Sequence, residues 1–198
     1  MKRTVMLCLC LLTAFPALSD DRKPEPGLRL PTIFSTDMII PAGTSTPVWG
    51  WALPDQDVTV TLGEQTVTTK AASDGKWKLA LKNLTPDNKP LTLAVKSGEK
   101  TITCSNVLVG DVWFGCGQSN MAFPVKETLN AQKYLAEANY PNIRLFRTGI
   151  DWSEKPLEDV QGADHRQWYV CTPENVAGFG ATLYYFGREV HDKAGCNC

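Results

Sequence analysis

Apolar and polar residues alternate in several short runs between residues 28 and 105. The pattern is clearest at 58–62, 77–81 and 91–95, where every second residue is apolar. Turn-forming residues separate the runs, and Ser-Asp-Gly at 73–75 is a strong hairpin signal. Alternation with a period of two is typical of a strand with one buried face. Such strands, spaced by ~8–12 residues, predict an antiparallel β-sandwich with its own core.

A different pattern begins at residue 107. Residues 107–114 are mostly apolar, which predicts a strand buried on both faces, as in the sheet of an α/β domain. Residues 115–120 are small and polar. Open α/β sheets bind their ligands at the carboxyl ends of the strands. Ser119 is therefore predicted to be accessible there, just before a possible helix whose N–H groups favour negative charge.

Three interpretations of this loop stay open on the residues alone. The spacing of Gly115, Gly117 and Asn120 nearly matches a dinucleotide fingerprint, but the third glycine is missing. The Gly-x-Ser string matches the start of a nucleophile elbow, but Met121 replaces its second glycine. The third interpretation is a polar turn with no chemistry.

The last ninety residues predict few regular elements. We expect a helix at 128–138, a strand at 143–146 and an ordered loop at 149–175, where periodicity is weak. A final helix is predicted at 179–194, with Gly195 as its C-cap.

The apolar face of that final helix is predicted from Leu183, Phe186 and Val190, which have helical spacing. Two strands and two helices are too few to complete a covered parallel sheet. We therefore expect residues 106–198 to be the truncated start of a larger α/β domain.

The first residues resemble a targeting segment. Lys2 and Arg3 precede a short apolar run, and small residues follow at 17–19. This predicts a signal peptide at 1–19 and an exported protein, periplasmic or extracellular. The charged, proline-rich residues 20–27 predict a linker.

Composition narrows the classes of function. The net charge is -1 and the pI is near 6.1, which does not favour nucleic-acid binding. The apolar run near the start is too short to span a bilayer, so no transmembrane segment is expected. Five cysteines remain after residue 19, and Cys196-x-Cys198 lacks the further ligands of a metal site. We interpret it as tail sequence and expect no metal.

Several motifs resemble one family. Gly-Gln-Ser-Asn-Met at 117–121, preceded by Val-Gly-Asp-Val-Trp at 109–113, is similar to the first motif block of the sialate O-acetylesterases, which are SGNH-type serine esterases. Leu-Pro-Thr-Ile-Phe-Ser-Thr-Asp-Met at 30–38 and Val-Trp-Gly-Trp at 48–51 resemble the small β domain of that family.

The resemblance implies a fold and a chemistry. It implies a β-sandwich at 28–105, followed at 106–198 by the incomplete start of a three-layer α/β/α SGNH-hydrolase domain. It implies that Ser119 is the nucleophile, with its own backbone N–H as an oxyanion donor, and that Gln118 and Asn120 bind substrate. The implied substrate is an acetylated sugar or glycan, and no cofactor is implied.

The resemblance also leaves parts of the site unassigned. The family's Asp-x-x-His motif does not occur in this sequence, and only His165 and His191 are available as bases. We therefore expect the N-terminal portion of an esterase that is inactive alone. The alternative is an exported, non-catalytic glycan-binding protein that uses the Trp49 and Trp51 region. A nicotinamide enzyme is disfavoured, because export separates the protein from the cytosolic cofactor pool.

Overall fold

A computed structural model describes residues 27–149, 153–160, 167–195 and 197–198. The predicted signal peptide at 1–19, nearly all of the predicted linker, His165 and Cys196 lie outside these residues.

Seven strands form the first part of the described chain. Five of them make a mixed sheet in the order β1-β7-β6-β3-β4, in which only β1 and β7 pair in parallel. The other two, β2 and β5, pair antiparallel in a second sheet. Their bounds are β1 Ile39–Pro41, β2 Gly43–Trp51, β3 Asp57–Leu62, β4 Gln65–Lys70, β5 Lys76–Leu84, β6 Asp87–Ser97 and β7 Lys100–Gly110.

The turn residues lie where the sequence predicts them, but one connects different elements. Gly63 (φ 56°) and Gly98 (φ 57°) adopt the left-handed conformation between paired strands. Gly75 (φ 79°) also turns the chain, yet β4 and β5 belong to different sheets. The predicted hairpin at 73–75 is therefore wrong. Local residues specify a turn, whereas the partner of each strand depends on distant ones.

One hydrophobic cluster joins the two sheets. The apolar positions of the alternating runs are buried, and side chains from β2 and β5 pack with those from the larger sheet. Representative members are Val48, Val58, Val60, Trp77, Leu81, Leu93, Val95 and Leu108. This part of the chain is strongly β, as the alternation predicts, while the β-sandwich description remains a prediction.

The strand predicted at 107–114 is shorter and lies in another sheet. β7 ends at Gly110, and its last four residues are buried. Val112, Trp113 and Phe114 are 44%, 50% and 85% exposed and lie outside any strand. β7 pairs with β1 and β6, so the predicted boundary at 105/106 falls inside a continuous strand.

The second part contains fewer elements than a full α/β domain. β8 (Tyr140–Phe146) pairs antiparallel with β9 (Trp168–Cys171), so the parallel pair of strands expected here is wrong. The helices are α1 (Ala131–Ala136), α2 (Pro173–Ala177) and α3 (Ala181–Ala194).

The predictions for this part are partly confirmed. α3 ends as predicted, with Gly195 at φ 63° donating its N–H to the carbonyl of His191. The helix predicted at 128–138 is shorter, and Leu129 lies before it with 86% of its surface exposed. The loop predicted at 149–175 contains β9 and the start of α2, because four- and five-residue elements are too short to show periodicity.

The last residues are buried between two strands. Asn197 is 2% exposed, and its side-chain amide donates to the carbonyls of Asp87 and Val109 at 2.8 and 3.1 Å. Cys198 donates its N–H to the carbonyl of Asn142 and accepts from the N–H of Arg144 at 2.7 Å. The interpretation of these residues as a tail is therefore wrong, because they bridge β7 and β8.

Trp168 of β9 ties the two parts together. It is 8% exposed and belongs to the hydrophobic cluster of the β-rich part. Its indole N–H donates to the carbonyl of Ile33 at 2.8 Å, and its ring lies 5.2 Å from that of Phe146. Nearby, Asp159 accepts from the N–H and hydroxyl of Thr32. The core of residues 28–105 is thus completed by a side chain from far along the chain.

We predict that Trp168→Ala lowers the free energy of unfolding by about 3–5 kcal/mol, because it removes a large buried aromatic side chain and leaves a cavity. Trp113→Ala is the control: Trp113 is half exposed and packs edge-on against Phe186. Its loss is expected to cost less than about 1.5 kcal/mol. Urea denaturation measures both, and equal losses would contradict the role of Trp168 as a tie between the parts.

Candidate active site

Ser119 lies on a short turn beyond the end of β7. Residues 111–118 run from the strand to a 3₁₀ turn, Ser119–Ala122. The turn is closed by hydrogen bonds from the N–H of Met121 to the carbonyl of Gln118 at 2.9 Å and from Phe123 to Asn120 at 3.3 Å. The helix expected after Ser119 is therefore only this turn. Gln118, Ser119 and Asn120 are all exposed to solvent.

The two glycines before Ser119 permit close packing of the loop. A Cβ at Gly117 would lie 2.8 Å from Cγ of Met121. A Cβ at Gly115 would lie 3.0 Å from a methyl group of Leu183. These distances explain the Gly-x-Gly spacing by contacts within the protein. The spacing therefore gives no support to the dinucleotide interpretation.

The start of α3 holds the other end of the turn. Ala181 donates its N–H to the carbonyl of Phe123 at 2.8 Å, and Val125 donates to Phe179 at 3.0 Å. Gly180 makes this approach possible, because a Cβ there would lie 2.3 Å from the carbonyl oxygen of Met121. This role of Gly180 was not predicted from the sequence, where its only signal is a small residue just before a helix.

The predicted apolar face of α3 faces this loop and not a sheet. Leu183 lies beside Gly115, and the ring of Phe186 lies 5.0 Å from that of Trp113. Phe186 is nevertheless 42% exposed. The buried residues of the helix are Ala181 and Tyr184, which pack with β8, β9 and α2. Leu183 and Phe186 thus lie on one side of the helix as predicted. The buried side of the helix, however, is the one that carries Ala181 and Tyr184.

Among the residues that the structure describes, no general base contacts Ser119. The hydroxyl of Ser119 has no hydrogen-bond partner among them. His191 lies 5.6 Å from the ring of Tyr140, in the last turn of α3. It is ten residues beyond Ala181, or about 15 Å along the helix axis. The other candidate base, His165, lies outside the described residues.

The charged groups near α3 stabilise the fold. The guanidinium of Arg188 lies 5.0 Å from the ring of Tyr134 and 5.7 Å from that of Tyr185. Burial raises the pKa of Tyr184 to about 12, so its hydroxyl stays protonated.

Within residues 27–149, 153–160, 167–195 and 197–198, no cluster of metal-ligating side chains is found. The longest helix in these ranges, α3, has 14 residues, fewer than the ~20 that a transmembrane helix needs.

Known proteins match this chain over most of its length. No family model matches. The sialate O-acetylesterases of Homo sapiens and Pongo abelii are each 33% identical over 191 residues, which is 87% of this chain and 36% of theirs. The crystal structure of a carbohydrate acetylesterase from Xanthomonas citri superposes with a TM-score of 0.81 at 29% identity, covering 85% of this chain and 38% of that one.

These similarities show which class of protein the chain is related to. The shared fold and sequence make the chain a relative of carbohydrate acetylesterases. More particularly, it is a relative of the sialate O-acetylesterases, and the resemblance inferred from its motifs is confirmed. The chain spans little more than a third of the length of those relatives, which fits an N-terminal portion.

The cysteines differ sharply in accessibility, and this difference allows the exposure of the loop before Ser119 to be tested by alkylation. Cys116, three residues before Ser119, is exposed, whereas Cys104 and Cys171 are buried. Burial raises the pKa of both buried thiols to about 11. We predict that iodoacetamide at pH 8 alkylates Cys116 long before Cys104 or Cys171, because the thiolate is the reactive form.

Peptide mass spectrometry over time measures this order. The pKa of each buried thiol, about 11, lies well above 9. A rise from pH 7 to pH 9 should therefore leave Cys104 and Cys171 unlabelled in the folded chain. Labelling in 6 M urea is the control for their intrinsic reactivity. Early labelling of Cys171 in the folded chain would contradict the described packing around β9.

Proposed function

We propose that this chain supplies the nucleophile of a carbohydrate O-acetylesterase, and that the nucleophile is Ser119. The observation that carries the proposal is an exposed serine on a tightly packed turn, in a chain related to sialate O-acetylesterases over 87% of its length. The substrate we propose is an O-acetyl ester on a sugar, by analogy with what the names of the relatives state.

The proposed reaction has two steps. The Ser119 Oγ attacks the acetyl carbonyl carbon, a base accepts its proton, and the bond from that carbon to the sugar oxygen breaks. The proton passes from the base to the departing sugar oxygen, which leaves as a hydroxyl group, and an acetyl-serine remains. A water molecule, deprotonated by the same base, then attacks the acetyl-serine. Acetate leaves, and the proton returns to Oγ.

The surroundings of the turn support this assignment. Hydrogen bonds and close contacts from Met121, Gly180 and Leu183 hold the backbone of the turn, so less conformational entropy is lost when Oγ is oriented for attack. The backbone N–H of Ser119 is the proposed oxyanion donor, and such a donor contributes roughly 2.7–4 kcal/mol. Gln118 and Asn120, on either side, are the proposed contacts to the sugar.

The proposal also concerns what this chain cannot do alone. Among the described residues, the Ser119 hydroxyl meets no base, and the sequence contains no Asp-x-x-His string. We infer that the 198 residues alone are inactive as an esterase. The proposal includes export through residues 1–19, and a β-sandwich that is followed, after β7, by the start of an SGNH-type domain.

A chimera tests the nucleophile. The matched part of the Xanthomonas citri acetylesterase is replaced by this chain, so that the remainder of that enzyme supplies the base. Ser119→Ala is expected to lower kcat roughly a millionfold, as loss of a serine nucleophile does. Ser45→Ala, an exposed serine on β2, is the control and should leave kcat unchanged. A folded chimera that keeps its activity as Ser119→Ala would refute the assignment.

The isolated chain gives a second prediction. It should hydrolyse 4-nitrophenyl acetate no faster than its Ser119→Ala variant, because no base activates the hydroxyl. Initial rates at pH 7 to 9 measure this. A rate tenfold above that of the variant would mean that His165, His191 or a second copy of the chain provides the base.

A further inference from the structure

A cleft lies on the outer face of the small sheet, away from Ser119. Its volume is about 370 Å³, and none of residues 111–124 lines it. In the ladder of β2 and β5, Trp49 is opposite Lys78 and Trp51 is opposite Lys76. Opposed residues share one face of a sheet, so two indoles and two ammonium groups lie together. Glu158 closes the cleft from the later part of the chain.

The two tryptophans of this face differ in exposure. Trp51 is 9% exposed, and the guanidinium of Arg29 covers its ring at 3.6 Å. Trp49 is 37% exposed, and Phe34 packs against it at 4.8 Å with nearly perpendicular rings. Glycan binding by the Trp49 and Trp51 region was the alternative to an esterase that the sequence offered. Trp51 is buried on this face beneath Arg29, and Trp49 is a supported aromatic ring that remains accessible.

The charges around the cleft are unequally paired. Lys76 Nζ lies 2.8 Å from Oε1 of Glu158, whose Oε2 lies 3.9 Å from Arg29. Lys78 is exposed, and its ammonium group has no ion pair or hydrogen bond within the described residues. The cleft therefore presents one uncompensated cation directly beside the accessible indole.

We propose that this cleft binds a terminal anionic pyranose of a glycan, a sugar ring that carries one carboxylate. The apolar C–H face of the sugar ring stacks on Trp49, its carboxylate pairs with Lys78, and its hydroxyls bond to the Lys76–Glu158 pair. The volume fits one or two sugar rings, and an apolar surface with few polar groups is typical of small-molecule sites. A single cation suits a carboxylate better than the several charges of a phosphate chain.

This inference is independent of catalysis. Stacking and ion pairing at Trp49 and Lys78 need no reaction at Ser119, so a Ser119→Ala chain should bind equally well. Loss of the esterase proposal would leave the cleft as a binding site, and loss of sugar binding at the cleft would leave the esterase proposal unchanged.

The test uses the full chain with Ser119→Ala, labelled with ¹⁵N. The probes are the methyl glycoside of N-acetylneuraminic acid and its carboxamide, which lacks the charge. The indole N–H signal of Trp49, identified by its loss in Trp49→Ala, should shift saturably. The carboxylate should bind about two- to fivefold more tightly than the carboxamide, the range of an exposed ion pair.

Three variants complete the test. In the variants that lack the Trp49 indole, binding is followed by the backbone amide signals of Lys76 and Lys78, which also line the cleft. Trp49→Ala should raise the Kd for both probes about tenfold, and Trp49→Phe should restore part of the affinity. Lys78→Gln should raise the Kd for the carboxylate to that of the carboxamide. Lys96→Gln removes the same charge from an exposed position on β6 and should change neither Kd.

Several outcomes would overturn the proposal. They are no saturable shift at Trp49, equal affinity for the two probes, an unchanged Kd in both Trp49→Ala and Lys78→Gln, and tighter binding of a nucleoside monophosphate. If Trp49→Ala fails to fold, the Trp49→Phe and Lys78→Gln titrations still decide the matter.

Discussion

The backbone of β7 is hydrogen-bonded along both edges, and the position of the candidate nucleophile depends on this. β6 pairs with one edge and β1 with the other, and Val107, Leu108 and Val109 are at most 3% exposed. Breaking a buried ladder leaves unsatisfied polar groups, each costing about 1–3 kcal/mol. The end of β7 is thus fixed, and the loop that carries Ser119 begins from a rigid point.

Gly110 extends this constraint to the second part of the chain. A Cβ there would lie 2.5 Å from the carbonyl oxygen of Asn197, which accepts the N–H of Asp111 at 2.9 Å. Only a residue without a side chain lets the two segments approach so closely. The loop that follows Gly110 is held at this end by Asn197 and at its other end by the start of α3. Phe114, between these two ends, is 85% exposed. Ser119 combines a fixed backbone with an accessible side chain.

The local parts of this arrangement were predictable from sequence, and the non-local parts were not. The alternation at Val58, Val60 and Leu62 identified a strand, and Gly195 identified the end of α3, because both signals depend on neighbouring residues. The motif around Ser119 marked the candidate site by resemblance. The burial of Trp168 and Asn197 left no local signal, because their partners lie more than a hundred residues away or in the other part of the chain. The contact of Gly180 with Met121 was missed for the same reason.

The hydrogen bond from Trp168 to Ile33 joins residues 135 positions apart, and it sets an order of events during synthesis. At about 5–20 residues per second, a ribosome takes roughly 7–27 s to proceed from Ile33 to Trp168. In the last part of that interval, after Gly110 completes β7, the strands β1 to β7 are already made, but the indole that completes their core has not emerged. The nascent chain therefore carries an unfilled hydrophobic site of its own, a ready target for a chaperone until β9 arrives.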